Sequence, residues 1–126
     1  MVTTYIVCSV LLLVAAWSKG VQDSIAHHNS LKARGQWWDS DISWQWKYAA
    51  NSNNTREKFW GSTRWFVFVT DAWHCFAMVN MSAWQMALCL LLPVTWQWQI
   101  AAFVGAKVVY GTLFEATYRH LNNQKP

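Results

Sequence analysis

The sequence predicts an all-α membrane protein with three transmembrane helices and a long, tryptophan-rich cytoplasmic loop. Hydrophobic residues make up 54% of the 126 residues and charged residues only 13%, a balance that is unusual for a soluble domain. The apolar residues are grouped in long runs, and several of the eleven tryptophans lie near the ends of these runs, as in the aromatic belts of membrane proteins. A soluble protein with a very apolar core is the alternative.

The first span is predicted over residues 3–20, because about 20 apolar residues are needed to cross the ~30 Å hydrocarbon layer. A cleaved signal peptide, cut after Ala15 or Ala16, is the alternative for this run. However, the first eighteen residues contain no Lys or Arg, whereas a signal peptide begins with a basic region. We therefore expect an uncleaved span.

The second apolar block is long enough for two further spans, over residues 72–92 and 97–117. Pro93 is the natural break between them, since proline removes a helix donor and clashes with the preceding turn. An alternative with four spans begins a helix at Thr63. The whole chain is predicted to be one membrane domain, with residues 21–71 as the loop.

The basic residues favour three spans over four. Nine of the ten Lys and Arg residues lie on or beside the loop and in the tail, whereas the N-terminus and the Pro93 hairpin carry none. By the positive-inside rule, the loop and the C-terminus are cytoplasmic and the N-terminus is outside. Four spans would place the basic tail on the opposite side. These basic residues are Lys19, Lys32, Arg34, Lys47, Arg56, Lys58, Arg64, Arg119 and Lys125.

Local patterns predict some structure within the loop. Lys19, Asp23 and His27 recur at a spacing of four, which predicts a helix that continues out of the first span and ends at Gly35. Two aromatic segments, 36–38 and 44–48, are expected in the headgroup layer or against the helix bundle. Ser62 or Thr63 is the expected N-cap of the next helix.

Four residues are candidates for a polar site, namely Asp23, His27, Asp71 and His74. Aspartate and histidine three or four residues apart on a helix can point at one ion, and this donor set suits zinc or a similar divalent metal. With three spans, both pairs lie at the cytoplasmic boundary and become neighbours. Asp71 and His74 are the predicted catalytic residues. The structural alternative is that these side chains bond each other or the loop backbone.

Other residues add a weaker hypothesis and exclude several classes of protein. Asn80 and Lys107 are polar residues within predicted spans, which is typical of proton or ion handling. The three cysteines lie within predicted spans without metal-ligand spacing, so we expect them to be packing residues. No phosphate loop, nucleophile elbow or nucleic-acid-binding module is found in the sequence.

The chain carries an ordered series of short motifs, namely Lys19-Gly20, Asp23, His27-His28, Ser30, Ser43-Trp44, Lys47-Tyr48, Phe59 or Trp60 with Gly61-Ser62-Thr63, Val69-Thr70-Asp71 and Trp73-His74. Together these motifs resemble a group of small uncharacterised membrane proteins of Bacteroidetes and their phages. The resemblance covers about residues 19–74, and it implies a bacterial or phage origin and a place in the bacterial inner membrane without implying a reaction. Ala72 departs from the usual glycine of the last motif, and Arg64 stands where the group has a second threonine. The Asp–His pairs are more distantly similar to VanZ-like proteins and membrane-bound metal-dependent hydrolases.

The sequence supports two hypotheses of function. In the first, a divalent metal at the Asp–His cluster activates water against a lipid-linked substrate. In the second, the chain is a non-enzymatic membrane interaction protein or phage accessory protein, and the cluster fixes the loop onto the bundle. The expected partners are the lipid bilayer and either a further copy of the chain or another membrane protein, but no nucleic acid.

Overall fold

A computed structural model describes residues 2–50, 53 and 55–122. Within these residues the protein is all-helical, with α1 over Val2–Asp23, α2 over Ala72–Leu90 and α3 over Trp96–Asn122. The segment between α1 and α2 contains several short 3₁₀ turns. The β-pairing described in this segment is an isolated antiparallel bridge between Tyr48 and Glu57. The all-α fold class is therefore confirmed.

The first helix ends differently from the sequence prediction. After Asp23 the backbone widens into a π-helical turn over Ser24–His28, and Asn29 closes it with φ 46° and ψ 30°. Asparagine tolerates this left-handed conformation better than most residues and often ends a helix. The predicted end at Gly35 is therefore wrong. Gly35 instead has φ 120° and joins two short 3₁₀ turns.

Helix α2 ends two residues before the predicted segment 72–92 does, and α3 begins one residue before the predicted segment 97–117 and continues five residues beyond it. The break at Pro93 is confirmed. The last carbonyls of a helix lack intrahelical N–H partners. Here the side-chain amide of Gln99 donates to the carbonyl oxygens of Leu90 at 3.3 Å and Leu92 at 3.2 Å. The tight hairpin is thus stabilised by a residue from the first turn of α3.

The chain forms two compact units, and the prediction of a single domain over residues 1–126 stays a prediction. Unit 2 covers Val10–Trp84, and unit 1 comprises Met1–Ser9 with Gln85–Pro126. In unit 2, α1 and α2 run antiparallel: the Asn80 amide donates to the Ala15 carbonyl at 3.0 Å, and the rings of Trp17 and Phe76 lie 5.4 Å apart. In unit 1, the Cys8 thiol lies 3.5 Å from the Ala87 carbonyl.

By length and composition, one helix of the described chain qualifies as a membrane span, over Val2–His28. The same test does not select α2 or α3, which carry polar side chains such as His74, Asn80 and Lys107 among their apolar ones. The structure thus gives weak support to the first of the three predicted spans and none to the other two. The side chain of Arg119 and all of Lys125, used to predict orientation, lie outside the described residues.

Candidate functional site at the start of α2

Asp71 is the N-cap of α2. Its Oδ1 accepts the backbone N–H of His74 at 2.9 Å, and its own carbonyl accepts the N–H of Cys75 at 3.1 Å. The first N–H groups of a helix have no intrahelical acceptor, and an aspartate at this position satisfies one of them. The side chain is 1% exposed, so this cap is formed in the interior of unit 2. The polar motif therefore has a structural role at the helix start.

The same carboxylate also orients the imidazole of His74. Oδ2 of Asp71 lies 2.6 Å from Nδ1 of His74, which is a short hydrogen-bond distance. The Thr70 hydroxyl lies 3.3 Å from Oδ2 but only 2.6 Å from the Val67 carbonyl. Since a hydroxyl has one proton, Thr70 serves mainly Val67. His74 is therefore the principal partner of Asp71, through both its backbone and its ring.

Burial and hydrogen bonding act on Asp71 in opposite directions. Burial raises the pKa of Asp71, whereas hydrogen bonds from the side chain and backbone of His74 and the charge on that imidazole lower the pKa. The lowering effects together are larger, so the pKa of Asp71 lies below its ordinary value. The Asp71 carboxyl is consequently ionised at neutral pH.

The His74 ring is held on one side and open on the other. Its ring packs edge-on against Trp73, with 4.9 Å between ring centroids, and its side chain is 30% exposed. Nε2 has no hydrogen-bond partner within the described part of the chain. An imidazole anchored through Nδ1 presents Nε2 to a proton or a metal ion. Chemically, this arrangement suits either a helix cap or an oriented base.

The other predicted pair lies in a different environment at the end of α1. Asp23 forms an ion pair with Lys19, as the spacing of four predicts, and both side chains are well exposed. His27 and its neighbour His28 are also exposed and lie in the π-helical turn. No hydrogen bond or ion pair joins His27 to Asp23 in the described part of the chain, because the Asp23 carboxylate is paired with Lys19 instead.

The four predicted metal ligands do not converge. Among the described residues there is no group of three or more His, Cys, Asp or Glu side chains placed to hold a metal ion. The structure brings Asp71 and His74 together, but it does not join them to Asp23 and His27. The physical reason is local: each carboxylate is already paired with a neighbour on its own helix. A divalent metal bound by this set stays a prediction.

A second polar cluster, between the 3₁₀ turns, escaped the sequence reasoning. Asp39 is 6% exposed and accepts from the Asn29 amide at 3.2 Å, the Asp41 N–H at 3.0 Å and Lys32 at 3.3 Å. Burial raises the pKa of Asp39, but these bonds outweigh it, so the pKa lies below its ordinary value. The available signal was the Asp-Ser-Asp turn sequence. This cluster ties the end of α1 to the turn that follows.

A third cluster surrounds Ser62, which is not the helix cap that the sequence predicted. The next α-helix begins only at Ala72, and Ser62 is instead fully buried. Its hydroxyl donates to the Lys47 carbonyl at 2.6 Å and accepts the Lys58 N–H at 3.2 Å. These bonds join two chain segments that are far apart in sequence. Ser62 therefore stabilises the second half of the loop by linking the segments that contain Lys47 and Lys58.

In comparisons with protein-family models, curated proteins and solved structures, nothing matches this chain. The resemblance to small membrane proteins of Bacteroidetes and their phages therefore stays a prediction. A function for this chain has to be inferred from the geometry of its described residues.

Proposed function

We propose that this chain is a small integral membrane protein with a non-enzymatic interaction role. In this proposal α1, α2 and α3 cross the bilayer, and the described residues between 29 and 69 form an interfacial cap, a folded segment that lies in the headgroup layer. The observation that carries the proposal is the exposure of large apolar side chains around α1, including Tyr5, Val10, Leu13 and Trp17. A helix that is apolar all round and not covered by its own protein suits a lipid environment.

Helix α3 has the same character in unit 1. Its exposed side chains include Ile100, Val104, Val108 and Leu113, which recur along the length of the helix. Contiguous apolar surface of this extent is rare on monomeric soluble proteins and marks a membrane or protein interface. A partner within the membrane, either a second copy of the chain or another membrane protein, would cover part of this surface.

The interfacial cap combines exposed or half-buried aromatic rings with cations. Nζ of Lys58 lies 4.5 Å from the ring centre of Trp46, and Lys47 and Arg34 lie over Tyr48 and Trp38. Aromatic rings with a polar edge and long basic side chains both favour the boundary between lipid and water. Basic residues here also attract anionic headgroups, which supports a cytoplasmic cap with the N-terminus outside the bacterial inner membrane.

Within this proposal Asp71 and His74 fix the cap to the helices. Asp71 lies at the junction of the cap with α2, and it is buried, ionised and bonded to the first turn of that helix. On the cap side, the ring centroid of Trp38 lies 5.7 Å from that of Phe76, a residue about one turn into α2 from Asp71. Polar and aromatic contacts thus anchor the cap at the same end of α2.

The proposal is tested by measuring the depth of spin labels on the protein in lipid nanodiscs. Nitroxides are attached at Leu13→Cys, Val108→Cys and Ala33→Cys in a background with Cys8, Cys75 and Cys89 replaced by alanine. We expect labels at positions 13 and 108 to collide with dissolved oxygen far more than with a nickel chelate. Ala33 lies in the exposed part of the cap and is the matched control. Its label should collide with the nickel chelate far more than with dissolved oxygen. Nickel collisions at 13 and 108 equal to those at 33 would contradict the proposal.

One observation favours a second function. Because Asp71 holds Nδ1 of His74, the free Nε2 can act as a general base or a metal ligand, as in enzymes with an oriented imidazole. The substrate would then be lipid-linked, since the pair lies at the start of a predicted span. Loss of hydrolytic activity in His74→Ala, with folding retained, would identify this function. Proton or ion handling through Asn80 and Lys107 stays a prediction.

A further inference from the structure

An open groove lies in the second half of the interfacial cap. It is formed between the short antiparallel pairing at Tyr48 and Glu57 and the turn that comes after it, and its volume is about 520 Å³. Its lining combines aromatic, carboxylate, hydroxyl and guanidinium groups from Tyr48, Glu57, Trp60, Thr63, Arg64 and Trp65. Neither Asp71 nor His74 lines this groove, so it is separate from the site at the start of α2.

The carboxylate in the groove is held in place by its surroundings. One oxygen of Glu57 accepts the backbone N–H of Gly61 at 3.1 Å, and the other accepts the Thr63 hydroxyl. Gly61 is buried and has φ 75°, a conformation that favours glycine, so the chain turns tightly here. Hydrogen bonds from Thr63 and Gly61 lower the pKa of Glu57, with a smaller effect from Arg64. Glu57 is therefore an ionised group in a fixed position.

This carboxylate can accept a further hydrogen bond. An ionised carboxylate offers about four acceptor positions, and Glu57 has three identified donors, namely the Gly61 N–H and the hydroxyl and backbone N–H of Thr63. The groove is open to solvent, so a donor from outside the chain can reach it. An ammonium group, with three donors and a positive charge, is the natural complement.

Two indole rings line the same groove without being covered by the protein. Trp60 is 77% exposed and Trp65 is 73% exposed. Indole faces attract alkylammonium groups through the ring quadrupole, and they are stable at headgroup depth. Exposed rings beside a fixed carboxylate are therefore well suited to bind an organic cation.

The groove also contains a cation with unused donors. The guanidinium of Arg64 has no hydrogen bond or ion pair among the described residues, although its charge is near enough to affect Glu57. A guanidinium presents five N–H donors in a fork that fits phosphate oxygens. Carboxylate and guanidinium in one groove thus offer complementary positions for a positive and a negative group.

We propose that this groove binds a phosphoethanolamine unit, with the ammonium at Glu57 and between the indoles of Trp60 and Trp65, and the phosphate at Arg64. The source is the headgroup of phosphatidylethanolamine, which a cap in the headgroup layer meets at high local concentration. This inference rests on the proposed function. A purely anionic headgroup fits less well, because the Glu57 carboxylate repels it.

The test monitors the indole N–H resonances of Trp60 and Trp65 in the full chain in dodecyl maltoside micelles, assigned with single Trp→Phe variants. Three probes are titrated: dihexanoyl phosphatidylethanolamine, soluble glycerophosphoethanolamine and dihexanoyl phosphatidylglycerol. We expect saturable shifts with the first two probes, stronger for the lipid, and at least about tenfold weaker binding of phosphatidylglycerol. Equal binding of both lipids would overturn the proposal, and so would the absence of any saturable shift.

Arg64→Gln is the primary variant, because the Arg64 side chain makes no hydrogen bond among the described residues and its backbone bond to Gly61 is kept. We expect it to weaken binding of both ethanolamine probes about tenfold. Arg56→Gln removes the same charge from an exposed neighbour that does not line the groove, and it should leave binding unchanged. If both variants weakened binding of the ethanolamine probes equally, the cause would be general charge attraction, and the proposal that the groove binds phosphoethanolamine would be overturned.

The outcome is separable from the test of membrane insertion. Binding of the soluble probe does not require a bilayer, so the groove can hold its ligand even if the spin labels on α1 and α3 contact water. Conversely, lipid contact at positions 13 and 108 together with no binding by any ethanolamine probe would remove this inference and leave the proposed function in place.

Discussion

The end of α1 and the start of α2 each carry an aspartate followed by a histidine, and their structures differ. Asp23 and His27 lie four residues apart and are not joined, and Asp23 pairs with Lys19 on an exposed face. Asp71 and His74 lie three residues apart, and the aspartate is buried and bonded to both the backbone and the ring of the histidine. The same residue types thus form a surface ion pair in one place and a buried cap in the other.

The difference arises from helix direction. The start of a helix presents free N–H groups and a partial positive charge, so a carboxylate at the N-cap gains hydrogen bonds there. Towards the end of a helix the partial charge is negative, and a carboxylate there needs a cation such as Lys19. Position along the helix, more than the Asp–His spacing, therefore determines which pair is built into the structure.

The largest expected effect is that of Asp71→Ala. The variant loses the N-cap and leaves the His74 N–H and ring without their acceptor, which we expect to lower the free energy of unfolding by about 2 kcal/mol. Unfolding in mixed detergent micelles, followed by circular dichroism, measures it. Asp23→Ala is the matched control and should cost about 0.5 kcal/mol or less. Equal losses in the two variants would contradict the contrast between the helix ends.

The next effect concerns the contact between α1 and α2 in unit 2. Asn80→Ala removes the hydrogen bond to the Ala15 carbonyl and should cost about 1 kcal/mol. Ser9→Ala is a suitable control, because the Ser9 hydroxyl bonds only to Tyr5 one turn earlier on its own helix. If Asn80→Ala were as mild as Ser9→Ala, the helix pair would depend on apolar packing and the Asp71 cap.

A smaller effect is expected with pH. Since the pKa of folded Asp71 is below its ordinary value, its contribution is complete above the ordinary carboxyl pKa of about 3.9. It is lost as pH falls through the lower pKa of the folded state. Unfolding titrations between pH 7 and 3 should therefore show a steeper acid loss in wild type than in Asp71→Asn. Ser9→Ala, which removes no titratable group, should follow wild type, and an acid loss in Asp71→Asn as steep as in wild type would contradict the prediction.

The smallest effect is expected from Lys19→Gln. An exposed ion pair at a spacing of four contributes about 0.3–0.5 kcal/mol, and salt screens it. Unfolding measured at low and high salt should therefore give a small difference between wild type and this variant that vanishes at high salt. A difference that persists at high salt would show that Asp23 is held by more than this surface pair.

The sequence predicted the helices better than it predicted the interfacial cap. Long apolar runs and Pro93 located α2 and α3, because these signals are local. The predicted end of α1 was wrong, because the π-helical turn and the left-handed conformation of Asn29 leave no periodic pattern in the sequence. The bond from Ser62 to Lys47 joins residues fifteen positions apart and depends on the folded loop, which no local pattern encodes.

The candidate site was predictable in part for the same reason. A spacing of three at a helix start brought Asp71 and His74 together, but convergence with Asp23 and His27 required knowledge of tertiary structure. The described residues hold no three-ligand group, so the predicted metal set gains no support from this geometry.

The central claim is that Asp71 and His74 form a structural cap. Its most direct test is the metal content of detergent-purified protein, measured by mass spectrometry in wild type and His74→Ala with the unfolding free energy of both. The account predicts no stoichiometric metal in either protein and a loss of stability in the variant. Stoichiometric zinc, manganese or iron in wild type that is absent from His74→Ala would contradict the account and establish a metal site.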